Sequence, residues 1–599
     1  MNPRTLYTVL EQTAAAHGRS PALYQPAGGK EGKYTIYSWN EYRDAAREIA
    51  VGLCRMGVGK GDIVAIYCET RAEFYLADLG VMAAGAVSAA LYTSYPMPDQ
   101  ARNLRVACPK AILVENPKAM AALQAAFGDN PINTEWVLLT GESGEARTIK
   151  DLREDGRRGM AEDPMIFERI RSAFGPDDYA ILYLTSGATG EPKMGLVTHN
   201  SVVSNIDNAP VVLPVGPEDR TIVFLPSAHI AQRVVLEMVP LRTGVPVWFS
   251  ESLAKLPAEL RAVRPTFFLA PPRVWERVYA SIWTEIRKKS GPAQKMFYAA
   301  VGLGAEAARY RLQQKPVPPW MKPGLRLFDR LVYRKIRERL GGCLRIAASG
   351  AAPLPKELGD FYAAIGMPLV EGYGLTEGGV VALNPLERPK PGSIGKPLPN
   401  VEVRIADDGE LMIKSPSLFS GYFNDPAATA AVLKDGWLYT GDIAELDEDG
   451  YLYITGRKKE LIVSSNGKKI YPSRIESLFK SEPLINQVVL VGDKLPYVTA
   501  LFTLNVQAVE SMKGMEELRG KDSAAIAVAP PVQTEVNRAV KSVNKHLASF
   551  EQIRKFRILE REFTVESGEL TPTMKVRRGR VLENYKPLIS EMYMGKDIE

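Results

Sequence analysis

The sequence predicts an α/β protein: a large N-terminal unit of parallel-type sheets sandwiched by helices, ending in an antiparallel section, then a smaller α+β unit. Three observations carry that expectation. The chain has 599 residues, too many for one ordinary core, so at least two packed units are expected. Over roughly the first 350 residues, short runs that are apolar throughout alternate with amphipathic stretches, the pattern of sheets buried by helices. Near residue 400 that alternation gives way to hairpin patterns.

Strands are expected at Asp62–Tyr67, Tyr179–Leu184, Thr221–Leu225, Pro246–Phe249, Pro265–Leu269 and Leu344–Ala347. Amphipathic stretches at Trp39–Met56, His199–Asn208 and Leu253–Val263 predict the covering helices. Val401–Ile405, the turn Asp407-Asp408-Gly409 and Glu410–Lys414 read as a hairpin, as do the strands around Asp449-Gly450. The charged run Gly456-Arg457-Lys458-Lys459-Glu460 follows a strand and reads as a hinge, dividing the chain into 1–455 and 456–599. Beyond it Gln487–Val491 and Tyr497–Leu504 form a strand pair, and Glu535–Phe550 has helical periodicity. Pro316–Pro323 is a rigid, proline-rich connector.

Composition narrows the function. Hydrophobic residues at 46% and charged residues at 24% are globular values and exclude disordered, fibrous and coiled-coil classes. A net charge of +6 over this length suits anionic ligands or a membrane surface and is too small for a nucleic-acid binder. Cys54, Cys68, Cys108 and Cys343 are dispersed, and with only four histidines neither a zinc site nor a disulfide framework is supported. The N-terminus lacks the apolar core of a signal peptide, and Val81–Leu91 is too short to span a bilayer and reads as a core helix. A cytoplasmic protein is expected. Arg326–Leu340 sets Leu327, Leu331, Ile336 and Leu340 among basic residues; it could rest on the inner face of a membrane, but a packed apolar stripe with a solvated basic face is the simpler expectation.

The chemistry begins with Thr185-Ser-Gly-Ala-Thr-Gly-Glu-Pro-Lys193, placed directly after the strand YAILYL. Glycines let backbone N–H groups approach a phosphate, hydroxyls donate to it and the lysine neutralises it. A Walker loop is excluded, because Pro192 stands where its second glycine belongs and Met194 follows the lysine. Gly302-Leu-Gly-Ala-Glu-Ala307 follows a helical run rather than a strand, so it is no dinucleotide fingerprint.

Further elements follow in order: Leu225-Pro-Ser-Ala-His229 with Gln232-Arg233; Arg264 to Arg277 (RPTFFLAPPRVWER); Ser349-Gly-Ala-Ala-Pro-Leu354; Glu371-Gly-Tyr-Gly-Leu-Thr-Glu377; Asp435-Gly-Trp-Leu-Tyr-Thr-Gly-Asp442; Gly456-Arg457; and Leu570-Thr-Pro-Thr-Met-Lys575. With the phosphate loop, this series resembles the adenylate-forming (acyl-activating) superfamily from about residue 30 to about 590, nearly the whole chain. The sequence departs from the family at Ala188, Met194 and Gln232. The resemblance implies the adenylate-forming fold, with a distorted β-barrel in the large unit and a mobile small one. It also implies ATP, Mg2+ and coenzyme A as participants.

Carried over residue by residue, the resemblance gives Thr185, Ser186, Gly187, Thr189, Gly190 and Lys193 the β- and γ-phosphates. Gly350, Ala351, Glu371, Gly372 and Tyr373 would frame the adenine, Thr376 would contact the α-phosphate and Glu377 would ligate Mg2+. Asp442 would hold the ribose hydroxyls with Arg457 beside them. Lys575, with Thr376 and Lys193, would carry the catalysis, entering when the small unit swings about Lys459. His229 would lie near the acyl pocket, where a packed core histidine is an equal alternative, and Gly467 would line the pantetheine path in a second pose. Tests of single residues favour duller roles, surface lysines or a turn-capping aspartate; the ordered set favours these.

More than 70 residues separate the Trp275 and Ser349 elements, which resembles the long-chain subgroup. The expected activity is therefore ATP-dependent ligation of a long-chain fatty acid to coenzyme A through an acyl-adenylate. Alternatives are an acyl-AMP ligase, a ligase to acyl-carrier protein, an activator of another carboxylic acid, and a nucleotide-binding regulator without turnover. Fatty acid, ATP and coenzyme A are the expected partners, with no nucleic acid; the sequence leaves the oligomeric state open, a homodimer included.

Overall fold

A computed structural model describes residues 4–28, 32–144, 146–185, 193–510, 512, 514–571 and 575–594, with the side chains of Thr185 and Ser481 outside that description. Its largest sheet has eight strands. Ile63–Tyr67 lies at the centre between Val87–Ala90 and Ala111–Val114, all parallel, and Glu135–Leu138 and Arg147–Thr148 extend one side in parallel. On the other side Tyr179–Thr185 joins Val87–Ala90 in parallel, but Lys193–Thr198 and Gly421–Tyr422 then add antiparallel. The expectation of parallel sheets holds at the buried centre. It fails at the edge, where Tyr179–Thr185 and Lys193–Thr198 are close in sequence and pair antiparallel.

The helix Trp39–Arg55, started by a reciprocal cap between Ser38 and Glu41, packs on the helices Ala72–Ala83 and Ile149–Glu162, which lie against this sheet. It packs unusually close to the helix Ile149–Glu162. A Cβ at Gly156 would lie 1.9 Å from the Glu48 carbonyl oxygen, so only glycine fits there. Val81–Leu91 is not one core helix. The helix Ala72–Ala83 ends at Gly85, whose φ of +74° is left-handed, and Val87–Ala90 is a strand. Periodicity could not resolve a run buried on every side.

A second sheet runs Phe267–Ala270, Ile346–Ser349 and Leu369–Leu375 in parallel, then Gly379–Leu383 and Lys396–Pro397 antiparallel. Its strands alternate faces: Phe267 and Leu269 belong to the main core, while Phe268 and Ala270 belong to the cluster beneath the helices Pro272–Arg287 and Gly291–Leu312. The rejected glycine pattern at 302–307 lies inside the latter helix. The section expected as a distorted barrel is a five-stranded antiparallel sheet of Glu402–Ile405, Glu410–Lys414, Leu433–Lys434, Trp437–Leu446 and Leu452–Arg457. Pairings among the described residues leave it open.

The hydrophobic clusters of the N-terminal portion end at Leu452, and those of the C-terminal portion begin at Ile462. No cluster spans the run 456–460. In the C-terminal portion Ile485–Val491 pairs antiparallel with Val498–Leu504, which pairs in parallel with Ile553–Ile558. The helix expected at Glu535–Phe550 spans Pro530–Asn544 instead. Its prolines occupy the first turn, where a missing N–H costs nothing. No described helix is long and apolar enough to cross a membrane.

Candidate active site

A bulge between Tyr373 and Gly374 interrupts the Leu369–Leu375/Gly379–Leu383 ladder and turns Tyr373 toward the antiparallel sheet. There its hydroxyl donates to Asp442 Oδ2 at 2.5 Å. Asp442 and Arg457 are cross-strand partners on Trp437–Leu446 and Leu452–Arg457, and Arg457 Nε reaches Asp442 Oδ1 at 2.9 Å. Desolvation opposes the Arg457 charge, but Asp442, Tyr373, Glu460 and Glu377 together outweigh it and hold the guanidinium above its ordinary range. Burial and Asp442 together push the Tyr373 phenol far up, so it remains a donor at any working pH. Asp442 thus arrives with both oxygens already engaged by a phenol and a guanidinium.

Gly350, Ala351, Gly372 and Tyr373 line one end of an apolar cavity enclosing about 860 Å3 of empty space, part of it open to solvent. Ala351 sits at φ +70°, a left-handed conformation that costs a non-glycine residue of order 1 kcal/mol or more. Gly350 is held close, with a Cβ there 3.4 Å from the Gly372 carbonyl. Val212, Leu213, Val234, Val235, Phe267 and Leu398 line the remainder. His229 belongs to this lining. Its Nδ1 accepts the Ala231 N–H at 3.1 Å, which leaves the neutral ring's proton on Nε2. Burial and the nearby Lys575 charge lower its pKa to about 4, so it is neutral near pH 7.

Lys575 is therefore within electrostatic reach of His229, and its own charge is felt alongside Arg457, Asp442 and Glu460. Lys575 keeps contact with solvent, and desolvation by the surrounding protein together with Arg457 lowers its pKa, partly offset by Asp442 and Glu460. Glu569, six positions before Lys575, is a residue that sequence reasoning missed. Glu569 is fully buried and accepts from both Arg561 guanidinium nitrogens (2.7 and 2.8 Å), from Asn584 (2.9 Å) and from Ser567 (2.7 Å). Those donors overcome its burial and hold the carboxyl down at about 2.

Lys193 Nζ lies over the Tyr422 ring, 4.5 Å from its centroid, while Tyr422 donates to Glu377 Oε1 at 2.7 Å. Lysine, phenol and carboxylate therefore form one array at the antiparallel edge of the large sheet. Thr376 lines a small void with Ser417 and Gly379. Ser186, Gly187, Thr189 and Gly190 lie outside the described residues, as does Ala188, and of Thr185 only the backbone, ending its strand, is described. Gln232 and Met194, two departures from the family, have visible reasons. Gln232 is buried and donates to the Tyr75 hydroxyl at 2.8 Å, and Met194 is buried in the strand Lys193–Thr198.

Glu371 has a different place from that expected. It is buried beneath the loop, accepts the Leu354 N–H at 3.1 Å and is pushed up to about 8 by burial. It supports the wall rather than facing the cavity, whose lining does not include it. Gly467 occupies a tight turn at φ +74° and is likewise outside that lining. Lys459 is exposed in the single turn Lys458–Glu460, whereas Lys458 is tied to Asp408 at 2.6 Å and Glu410 at 2.8 Å.

A second missed residue is Lys480, in the C-terminal portion, whose Nζ donates to the Pro353 carbonyl at 3.0 Å. This bond joins the portion that carries Lys575 to the loop carrying Gly350 and Ala351. No motif marks it, and an exposed lysine is ordinary in sequence. Lys480→Ala is expected to slow acyl-adenylate formation by about three- to tenfold, the worth of one partly solvated charged hydrogen bond. Thioester formation from supplied acyl-adenylate should be unchanged; pyrophosphate release and thioester assays read the two separately, and an equal loss in both would contradict this role.

A phenol that lines an apolar cavity is hydrogen-bonded to a carboxylate that also holds a guanidinium, and the charge of a lysine from the C-terminal portion is felt by both charged groups. The AMP-binding enzyme family matches residues 10–423, and the AMP-binding enzyme C-terminal domain matches residues 459–597; the chain belongs to this family. Among its relatives, the long-chain-fatty-acid–CoA ligase FadD15 of Mycobacterium tuberculosis is 37% identical over 577 residues, covering 94% of this chain and 93% of that protein. The long-chain-fatty-acid–CoA ligase ACSBG2 of Rattus norvegicus is 28% identical, covering 99% and 93%. Among solved structures, the anthranilate CoA ligase AuaEII in complex with anthranoyl-AMP superposes with a TM-score of 0.73 at 17% identity, covering 98% of this chain and 99% of that one. The adenylation domain of a Mycobacterium chelonae carboxylate reductase gives 0.73 at 22%, covering 99% and 92%. At those identities the solved structures establish the fold alone.

Proposed function

We propose that the chain is an ATP-dependent long-chain fatty acid:CoA ligase. What supports this reading is that the Lys575 charge is felt at His229, in the wall of the apolar cavity, and interacts with Asp442 and Arg457, which are joined to the Tyr373 that lines the same cavity. A carboxylate is a poor acyl donor, so it first attacks the α-phosphorus of ATP. Pyrophosphate leaves, and the coenzyme A thiol then displaces AMP from the acyl-adenylate. Two anions must meet in the first step, so oriented positive charge supplies the largest contribution to the rate.

In this reading Asp442, held by Tyr373 and Arg457, takes the ribose hydroxyls, and Gly350, Ala351 and Gly372 let adenine lie against backbone. Lys193 and the loop before it take the β- and γ-phosphates, Thr376 the α-phosphate. Lys575 bridges the α-phosphate and the substrate carboxylate. Neutral His229 closes the polar end of the cavity without adding charge against the acid. Rotation about Lys459 withdraws Lys575 and brings the Gly467 turn toward the site for thioester formation.

Glu377 fits Mg2+: it offers a hard oxygen beside Lys193, and no group of three or more candidate metal ligands occurs among the described residues, so phosphate oxygens would complete the shell. When bound, the ion would neutralise charge on the triphosphate. The deciding experiment is a chain-length panel from acetate to oleate, with coenzyme A and acyl-carrier protein as competing acceptors. AMP formation should require acid, Mg2+ and coenzyme A together and favour long chains. Failure of every acid to release pyrophosphate would overturn the ligase reading, and preference for carrier protein would overturn the acceptor.

A further inference from the structure

The stretch from Trp320 to Leu340 packs only part of its apolar surface. It runs as the helix Met321–Phe328, a π-helical turn Asp329–Tyr333, the short helix Arg334–Arg337 and a final turn Glu338–Leu340. Met321, Val332, Tyr333, Ile336 and Leu340 are buried, and the Tyr333 hydroxyl ties the segment to the Ala300 carbonyl at 2.5 Å. The simpler sequence expectation put Leu327 and Leu331 on that packed stripe. They are not on it. Leu327 is 55% exposed, Leu331 36% and Trp320 72%.

Residues 320, 327 and 331 recur at seven and four positions, so they form one exposed apolar ridge. Lys322, Arg326 and Arg330, four apart and all exposed, form a basic ridge beside it. No carboxylate pairs with these three among the described residues. The acids of the segment are already matched elsewhere: Asp329 by Arg337 at 2.7 Å and Glu338 by Arg334 at 3.0 Å. The face therefore presents tryptophan and leucines flanked by uncompensated positive charge.

We propose that this face docks in the plane of an anionic lipid bilayer. The charge selects the occupant: a row of three unmatched cations calls for a surface of dense negative charge, and the apolar ridge with its tryptophan calls for one whose interior is hydrocarbon. An anionic bilayer supplies both, and a helix with this division lies at its interface rather than crossing it. No described helix could cross. The inference rests on this face alone and stands apart from the ligase reading.

The test is co-sedimentation of the full-length protein with vesicles of phosphatidylcholine alone, and of equal parts phosphatidylcholine and phosphatidylglycerol. The protein should pellet with the anionic vesicles, little with the neutral ones, and less at high salt. Leu327→Asp with Leu331→Asp should cut anionic binding at least tenfold, and each of Lys322→Ser, Arg326→Ser and Arg330→Ser about fivefold. Trp320→Ser, at the most exposed position of the ridge, should weaken binding in a protein whose unfolding midpoint is unchanged. All variants should adenylate a short water-soluble acid at the parent rate, which separates loss of docking from loss of the site. Equal pelleting with both vesicle types, or undiminished binding by the variants, would overturn the proposal. So would light scattering that shows a dimer dissolved by the leucine substitutions, because the face would then pair two copies.

Discussion

Lys575→Ala forms acyl-adenylate on the order of 10²–10³-fold more slowly than the parent, the usual cost of one oriented charge at the reacting phosphate. The same protein converts supplied acyl-adenylate and coenzyme A to thioester at nearly the parent rate, because the second reaction proceeds with the lysine withdrawn. Pyrophosphate release and thioester formation measure the two steps. Loss of both would contradict the two-pose mechanism. The pH dependence carries a sign as well. Desolvation and Arg457 depress the Lys575 pKa, so the charge needed for adenylation is lost at a pH below the ordinary lysine value of 10.5. Lys575→Arg moves that alkaline limb upward, since a guanidinium stays charged.

The second large effect is on stability. Arg233 and Asp78 form an ion pair in which both side chains are inaccessible to solvent, with Arg233 Nε 3.1 Å from Asp78 Oδ2 and its Nη2 on Oδ1. Arg233 also lies over the Tyr183 ring at 5.6 Å. The pair anchors the π-helical stretch Ala231–Met238, whose Ala231, Val234 and Val235 line the apolar cavity. Arg233→Leu leaves Asp78 buried without its cation and is expected to cost about 3–5 kcal/mol, read as a lowered denaturant midpoint. Asp78→Leu combined with Arg233→Leu should recover most of that loss, because both desolvated charges are gone. A single substitution costing under about 1 kcal/mol would show that the pair is dispensable.

Glu237, fully buried in the same cluster, has no hydrogen-bond partner for either carboxyl oxygen among the described residues. Burial raises its pKa well above the ordinary 4.5, so the folded protein holds a proton that the unfolded chain releases. Its contribution to stability is complete below 4.5 and declines as pH rises toward the folded value. Glu237→Gln removes that decline.

Much of the site was legible because its chemistry depends on short, contiguous runs. Tyr373, Thr376 and Glu377 lie within a single seven-residue element, and Asp442 and Arg457 are cross-strand partners in two strands whose hairpin was visible in the Asp449-Gly450 turn. Glu371, in the same run, shows the limit: the resemblance put it with the adenine group, while its carboxyl is buried against the Leu354 N–H and outside the cavity lining. Asp78, Arg233 and Glu237 did leave a trace, as lone charges inside apolar runs. The Asp78–Arg233 pairing spans 155 positions, which no local pattern reports.

Glu569 and Lys480 left no trace, since one is held by Arg561, Ser567 and Asn584 and the other bonds a carbonyl in a different portion of the chain. The sequence by itself determined the α/β class, the order of the motifs and the chemical types gathered at the site, because hydrophobic period and short motifs are properties of neighbours along the chain. Only the tertiary structure decided which apolar residues are covered, which charges are paired and which faces stay open. Burial depends on what the rest of the chain packs against, and Leu327 and Leu331, apolar in sequence and open in the fold, show the difference.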